Sequence, residues 1–278
     1  MTLPGGNPET NSRVPAVPAE PDFSAGVPAQ PSPVPVEFDE LTRQRSKEII
    51  ALYPEPRSAL LPLLHLVQSV EGHVSEDGIR YCAEVLELTT AEVSAVATFY
   101  TMYKRRPCGE HLVSVCTNTL CAALGGDAIY ERVGRLLGSE GRPLGHEETV
   151  GEPGTPGSLT LEHAECLAAC DLGPVLQVDY EYFDNQTVDS AVELVEALRR
   201  GERPQPTRGA PLTDFRSAEL ELAGFTDDAS EVDTTARVEG PSSAVETVRG
   251  ARMAEENGWT APELPATPPP MPAPPEKK

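Results

Sequence analysis

Hydrophobic and polar positions repeat with two different periods along this chain, and the change of period near residue 107 divides it. From Asp39 onward Leu41, Ile49, Ile50 and Leu52 recur at helical spacing until Pro54 and Pro56 interrupt the pattern. A second helix is predicted from about Ser58, carrying Leu60, Leu61, Leu64 and Val67 to a stop at Gly72. Its Pro62 falls in the first turn, where a missing N–H does least harm. Ser75 is suited to cap a third helix running to about Leu86. Thr89 and Glu92 then form a capping-box pattern ahead of Val93, Val96 and Phe99. Four short helices in succession predict a small helical bundle over residues 37–106.

Beyond residue 107 short segments of period two appear between the helices. Residues 111–115 alternate as a strand whose end delivers Cys116, and residues 120–137 read as one helix across Gly125 and Gly126. Residues 138–157 are rich in glycine and read as an exposed connector. Residues 159–163 form a second strand leading to Cys166, residues 175–179 a third, and Tyr182 and Phe183 follow. A helix over residues 188–200, capped by Thr187, closes the domain. The order predicts an α/β domain at 107–202 and an α+β chain overall.

Proline changes the picture at both ends. Nine of the 29 prolines lie in residues 1–36 and twelve in 203–278. Both segments are therefore expected to be disordered tails, too poor in apolar residues to offset the entropy of ordering. Short helices near residues 217–222 and 243–257 are the exceptions the pattern allows.

The formal net charge is −22, and residues 107–202 hold 17 acids against 5 Lys/Arg. Such a surface disfavours nucleic acid, whose phosphates need cations, and suits a partner with a basic face. Within this acidic chain the triplet Lys104, Arg105 and Arg106 stands out as a candidate docking feature. No apolar run reaches the ~18–20 residues of a membrane span, and no basic-then-apolar leader opens the chain. The expectation is a cytoplasmic protein without direct membrane insertion, its six cysteines kept reduced.

Four of those cysteines carry the candidate chemistry. They read Cys116-T-N-T-L-Cys121 and Cys166-L-A-A-Cys170. Paired thiolates are soft ligands that suit iron–sulfur clusters, zinc or copper(I). Gaps of four and three residues are wider than the two-residue knuckles of structural zinc, and a [2Fe–2S] cluster takes two thiolates per iron. A structural zinc module and a thiol–disulfide oxidoreductase are the alternatives. The second of these usually uses C-x-x-C at a helix start. Cys82 and Cys108 lack partners at ligand spacing and read as packing residues. His65 and His73 read as core-edge or surface histidines. No Gly-rich phosphate loop, dinucleotide fingerprint, nucleophile elbow or H-E-x-x-H pattern is present, so no hydride-handling site is expected on this chain.

The two cysteine pairs, the Gly173-Pro174 turn after them and the upstream run V-S-A-V-A-T-F-Y-T-M-Y (93–103) resemble the thioredoxin-like [2Fe–2S] ferredoxins. Within these, the chain is most similar to the E subunits of bacterial NADH–quinone oxidoreductase (complex I), over about residues 40–202. The family commonly reads C-L-G-A-C-G at the second pair, where this chain has Ala168 and Asp171 at the glycine positions. The resemblance implies a thioredoxin-like ferredoxin domain after the helical bundle, and one [2Fe–2S] cluster held by Cys116, Cys121, Cys166 and Cys170. It implies partners too: a subunit that binds FMN and NADH, and the large iron–sulfur subunit, in a peripheral arm on the cytoplasmic side of the membrane. The role implied is single-electron exchange with the partner's flavin. The equivalent subunit of an NAD-linked hydrogenase or formate dehydrogenase is the alternative within the family.

Overall fold

The computed structural model describes residues 38–226 and 245–260; the expectations for residues 1–36 and for the rest of the C-terminal tail lie outside these. Four helices come first: α1 (Glu40–Ala51), α2 (Leu60–Glu71), α3 (Glu76–Val85) and α4 (Thr90–Phe99). Their ends are set locally. Asp39 accepts from the Thr42 N–H at the start of α1, Ser75 from Gly78 at the start of α3, and Thr89 with Glu92 makes the full capping box of α4. Gly72 ends α2 at φ 75°, the left-handed cap that glycine takes without strain. Leu63, Leu64, Leu66, Val67, Ile79, Cys82 and Val93 pack into one core. The apolar face expected of α1 is only partly used: Ile49 is buried, whereas Leu41 and Leu52 are exposed and Thr42 and Ser46 face inward instead.

A five-stranded mixed sheet follows, in the order β2-β3-β1-β4-β5. The strands are β1 (His111–Cys116), β2 (Glu148–Val150), β3 (Leu159–Ala164), β4 (Leu176–Val178) and β5 (Glu181–Phe183). Only β1 and β3 are parallel. Between β1 and β2 the expected single helix is two, α5 (Thr119–Leu124) and α6 (Gly126–Leu137), broken at Gly125 with φ 116°. The expected connector at 138–157 likewise contributes β2, an edge strand paired with β3. Val113, Val115, Leu159, Leu161, Leu176 and Val178 bury one face of the sheet against α6 and α7 (Val188–Arg199).

The ordered chain continues past residue 202, where a disordered tail is expected from the proline pattern. Helix α8 (Phe215–Leu222) packs on α2, with Leu220 and Ala223 in the core of the helical bundle. Phe215 fills a small cluster with Cys108 and Leu112 of the sheet domain. This return is sealed by Glu219, fully buried, which accepts from the Tyr180 hydroxyl (2.6 Å) and bonds His65 Nδ1 (2.6 Å). A further helix, α9, spans Val245–Glu256. No described helix is long and apolar enough to cross a membrane.

Candidate metal centre

Parallel pairing of β1 with β3 decides where the cysteines lie. In this register Cys116 stands opposite Ala164, so both strands release their loops side by side at the same end of the sheet. Carboxyl ends of neighbouring strands in open α/β sheets are where ligands are generally held. The Thr117 N–H still donates to the Ala164 carbonyl (2.9 Å), carrying the pairing one residue into the loops. Cys121 follows in the first turn of α5. Cys166 lies two residues past β3, and Cys170 opens a short 3-10 turn to Leu172. All four sequence-predicted cysteines therefore meet at one edge, while Cys82 and Cys108 are buried elsewhere with thiols pushed up to about 12 by burial.

The four are arranged as pairs. In the metal-free chain burial lifts the Cys121 thiol to about 11, its hydrogen bond with Cys116 adds to this, and the Val175 N–H opposes it. Cys170 is raised first by its hydrogen bond with Cys166, then by the charge of that neighbour. Cys116 and Cys121 are buried, with Ala169 and Val175 against them, whereas Cys166 and Cys170 are exposed. Among the described residues no three His, Cys, Asp or Glu side chains converge on a single ion position. The two thiol pairs together supply four donors, the number that a [2Fe–2S] cluster shares between two irons and that a tetrahedral zinc takes on one ion.

The backbone around the sulfurs fits such a group. The Ala168 N–H lies 3.4 Å from Cys166 Sγ, and the Cys116 thiol points at the Glu165 carbonyl (4.0 Å). An amide donor such as the Ala168 N–H stabilises a thiolate ligand, whereas the Glu165 carbonyl can accept only from the protonated Cys116 thiol. Gly173 stands where a Cβ would lie 3.2 Å from Cys121 Sγ, so its lack of a side chain keeps room beside that sulfur. Gly126 is tighter still, since a Cβ there would meet the Cys116 carbonyl oxygen at 2.4 Å. The glycine pair at 125–126, incidental when read as part of one helix, lets α6 start against the first cysteine loop.

Several neighbours have no local signal in the sequence. Lys104, read from the sequence as part of a candidate docking triplet, is buried; it bonds Glu162, Glu147 (3.3 Å) and the Thr101 carbonyl (2.7 Å). Burial works against its charge, yet Glu162 and Glu147 hold it above the ordinary lysine value. Only Arg105 and Arg106 of the triplet are exposed. A cavity of about 680 Å³ opens beside Cys166, lined by Leu167, Met102, Tyr180, Tyr182 and the His146–His163 ring pair. The Tyr182 hydroxyl crosses to the ligand loop and donates to the Leu167 carbonyl (2.8 Å).

Residues 46–199 match the model of the thioredoxin-like [2Fe–2S] ferredoxin family. The chain belongs to that family. The protein named as the E subunit of NADH-quinone oxidoreductase in Mycobacterium tuberculosis (strain ATCC 25618 / H37Rv) is 51% identical over 220 residues, covering 79% of this chain and 81% of the relative. The protein of the same name from Rickettsia prowazekii (strain Madrid E) is 35% identical, over 57% of this chain and 86% of its own. The E 2 subunit of Rhizobium meliloti (strain 1021) is 31% identical, over 58% and 90%. A thioredoxin-like [2Fe–2S] ferredoxin is thus the fold that places the four cysteines at the carboxyl ends of β1 and β3.

Proposed function

We propose that this chain is the iron–sulfur electron-transfer subunit of an NADH–quinone oxidoreductase, with Cys116, Cys121, Cys166 and Cys170 holding one [2Fe–2S] cluster. The observation that carries the reading is the meeting of two cysteine pairs at one end of parallel strands 48 residues apart in register, as Cys116 and Ala164 are. Family membership and the relatives named for this oxidoreductase support the assembly. When bound, the cluster supplies reversible one-electron chemistry. Cys116 and Cys121 keep their side dry, closed by Ala169 and Val175. Cys166 and Cys170 face outward, where a redox partner can approach. The Ala168 and Val175 amides direct partial positive charge at the sulfurs and so offset the added negative charge of reduction. NADH and FMN belong to a neighbouring subunit, which splits the hydride's electron pair and passes one electron here; the large iron–sulfur subunit is the other expected neighbour. The assembly lies on the cytoplasmic side of the membrane.

Anaerobically purified chain tests the reading. Equal amounts of iron and acid-labile sulfide, two of each per chain, are expected. Colourless protein with one zinc would overturn it. Replacing any of the four cysteines with Ser should cut or alter the cluster, whereas Cys82→Ser and Cys108→Ser should leave its spectrum intact.

A further inference from the structure

Residues 207–208 lie in the segment that the proline pattern sets apart from the folded domain, yet they are laced onto β5. The Thr207 N–H and hydroxyl both donate to the Tyr182 carbonyl (2.8 and 2.9 Å), and Tyr182 forms an antiparallel bridge with Arg208. The Arg208 guanidinium lies 4.1 Å from the centre of the Tyr182 ring and donates to Asp184 (3.0 Å). Its Nε is the one buried side-chain polar atom without a hydrogen-bond partner among the described residues. Leaving a buried donor unpaired is unfavourable, and native folds keep such groups sparingly. Here the cation gains the face of the Tyr182 ring in exchange. That ring is the same one whose hydroxyl holds the Leu167 carbonyl, inside the Cys166–Cys170 loop. The loop needs such a hold: it is exposed at both cysteines, and Ala168 takes a left-handed φ of 55°.

We propose that Arg208 and Tyr182 are positioning residues for the second cysteine loop. Arg208 fixes the ring, the ring hydroxyl fixes Leu167, and the loop geometry at Cys166 and Cys170 follows. The proposal deepens the cluster reading and rests on it for its spectroscopic consequence alone.

Hydrogen exchange of the metal-free, reduced full chain isolates the positioning from the cluster. Tyr182→Phe removes one hydroxyl and keeps the ring, so its fold should survive. Exchange in the peptide spanning 165–172 is expected to rise about fivefold, the factor for one ordinary hydrogen bond, with β1 unchanged. Arg208→Met keeps the stem and removes the cation, and should give the same loop-restricted rise. In cluster-loaded chain Tyr182→Phe should shift the visible circular-dichroism bands, which a purely structural anchor on β5 would not move. An unchanged loop peptide in Tyr182→Phe overturns the proposal, as do unchanged bands. An Arg208→Met effect spread evenly over β4 and β5 also overturns it. If the wild-type chain carries no iron or sulfide, the proposed function fails, and the exchange measurement still decides the positioning.

Discussion

Ala168, between the two exposed cysteines, is a non-glycine residue at φ 55°. A left-handed conformation costs an L-residue about 1–2 kcal/mol, and a glycine's extra chain entropy returns about 0.5–1 of that. Ala168→Gly is therefore expected to stabilise the metal-free chain by about 0.5–1 kcal/mol in a denaturant titration; a lower midpoint would show the loop relaxes some other way. Asp171 sits next to Cys170, exposed to solvent. Its charge opposes adding an electron to a cluster already held by thiolates, and at full screening over about 8 Å the effect is roughly 20 mV. Asp171→Asn should raise the midpoint by that amount in an EPR-monitored titration, and a fall would contradict the charge argument. The cysteines themselves were legible in the sequence because ligand spacing is a local, chemical signal. Lys104 was not, because its partner Glu162 lies 58 residues on. Arg208 was hidden in the same way, inside a stretch whose composition reads as a tail.

Elements were legible where their ends are written in adjacent residues. The capping box of α4 is such a case, and Thr89→Ala should destabilise the chain by about 1 kcal/mol. Glu92 adds a pH dependence. Arg57 first, then the Thr89 amide and hydroxyl, hold its carboxyl down to about 2. The folded value lies below the unfolded one of about 4.3, so this stabilisation is present above pH ~4.3 and fades as pH falls toward 2. Glu92→Gln should therefore be less stable than wild type at pH 7, with the gap narrowing by pH 3; a constant gap would mean the carboxylate's charge plays no part. Elements that depend on distant pairing were not legible. Strand β2 is three residues long and exists because β3 offers it an edge. The break before α6 was written in Gly125–Gly126, but only the Cys116 carbonyl against Gly126 explains why it is needed.

For the whole molecule, α8 redraws the folded limits. A chain spanning 38–226 is expected to keep full iron and sulfide content, whereas one ending at 203 loses Phe215, Glu219 and Leu220 and should melt at lower temperature. Equal melting of the two would show that α8 is a passive appendage. The docking prediction narrows to Arg105 and Arg106, since Lys104 is committed internally. Reversing both charges should weaken co-purification with the flavin-binding subunit proposed as its neighbour and leave the cluster spectrum unchanged; full retention at physiological salt would place the interface elsewhere. Glu219 ties α2 to the β4–β5 turn through His65 and Tyr180, and it follows both of them in the chain. During synthesis the helical bundle and the sheet emerge first, as domains generally do in N-to-C order. Until residue 219 leaves the ribosome, His65 and Tyr180 lack the carboxylate that joins them. A nascent chain thus carries its helical bundle and its sheet unjoined at His65 and Tyr180 until α8, made after both, supplies the carboxylate that bonds the two.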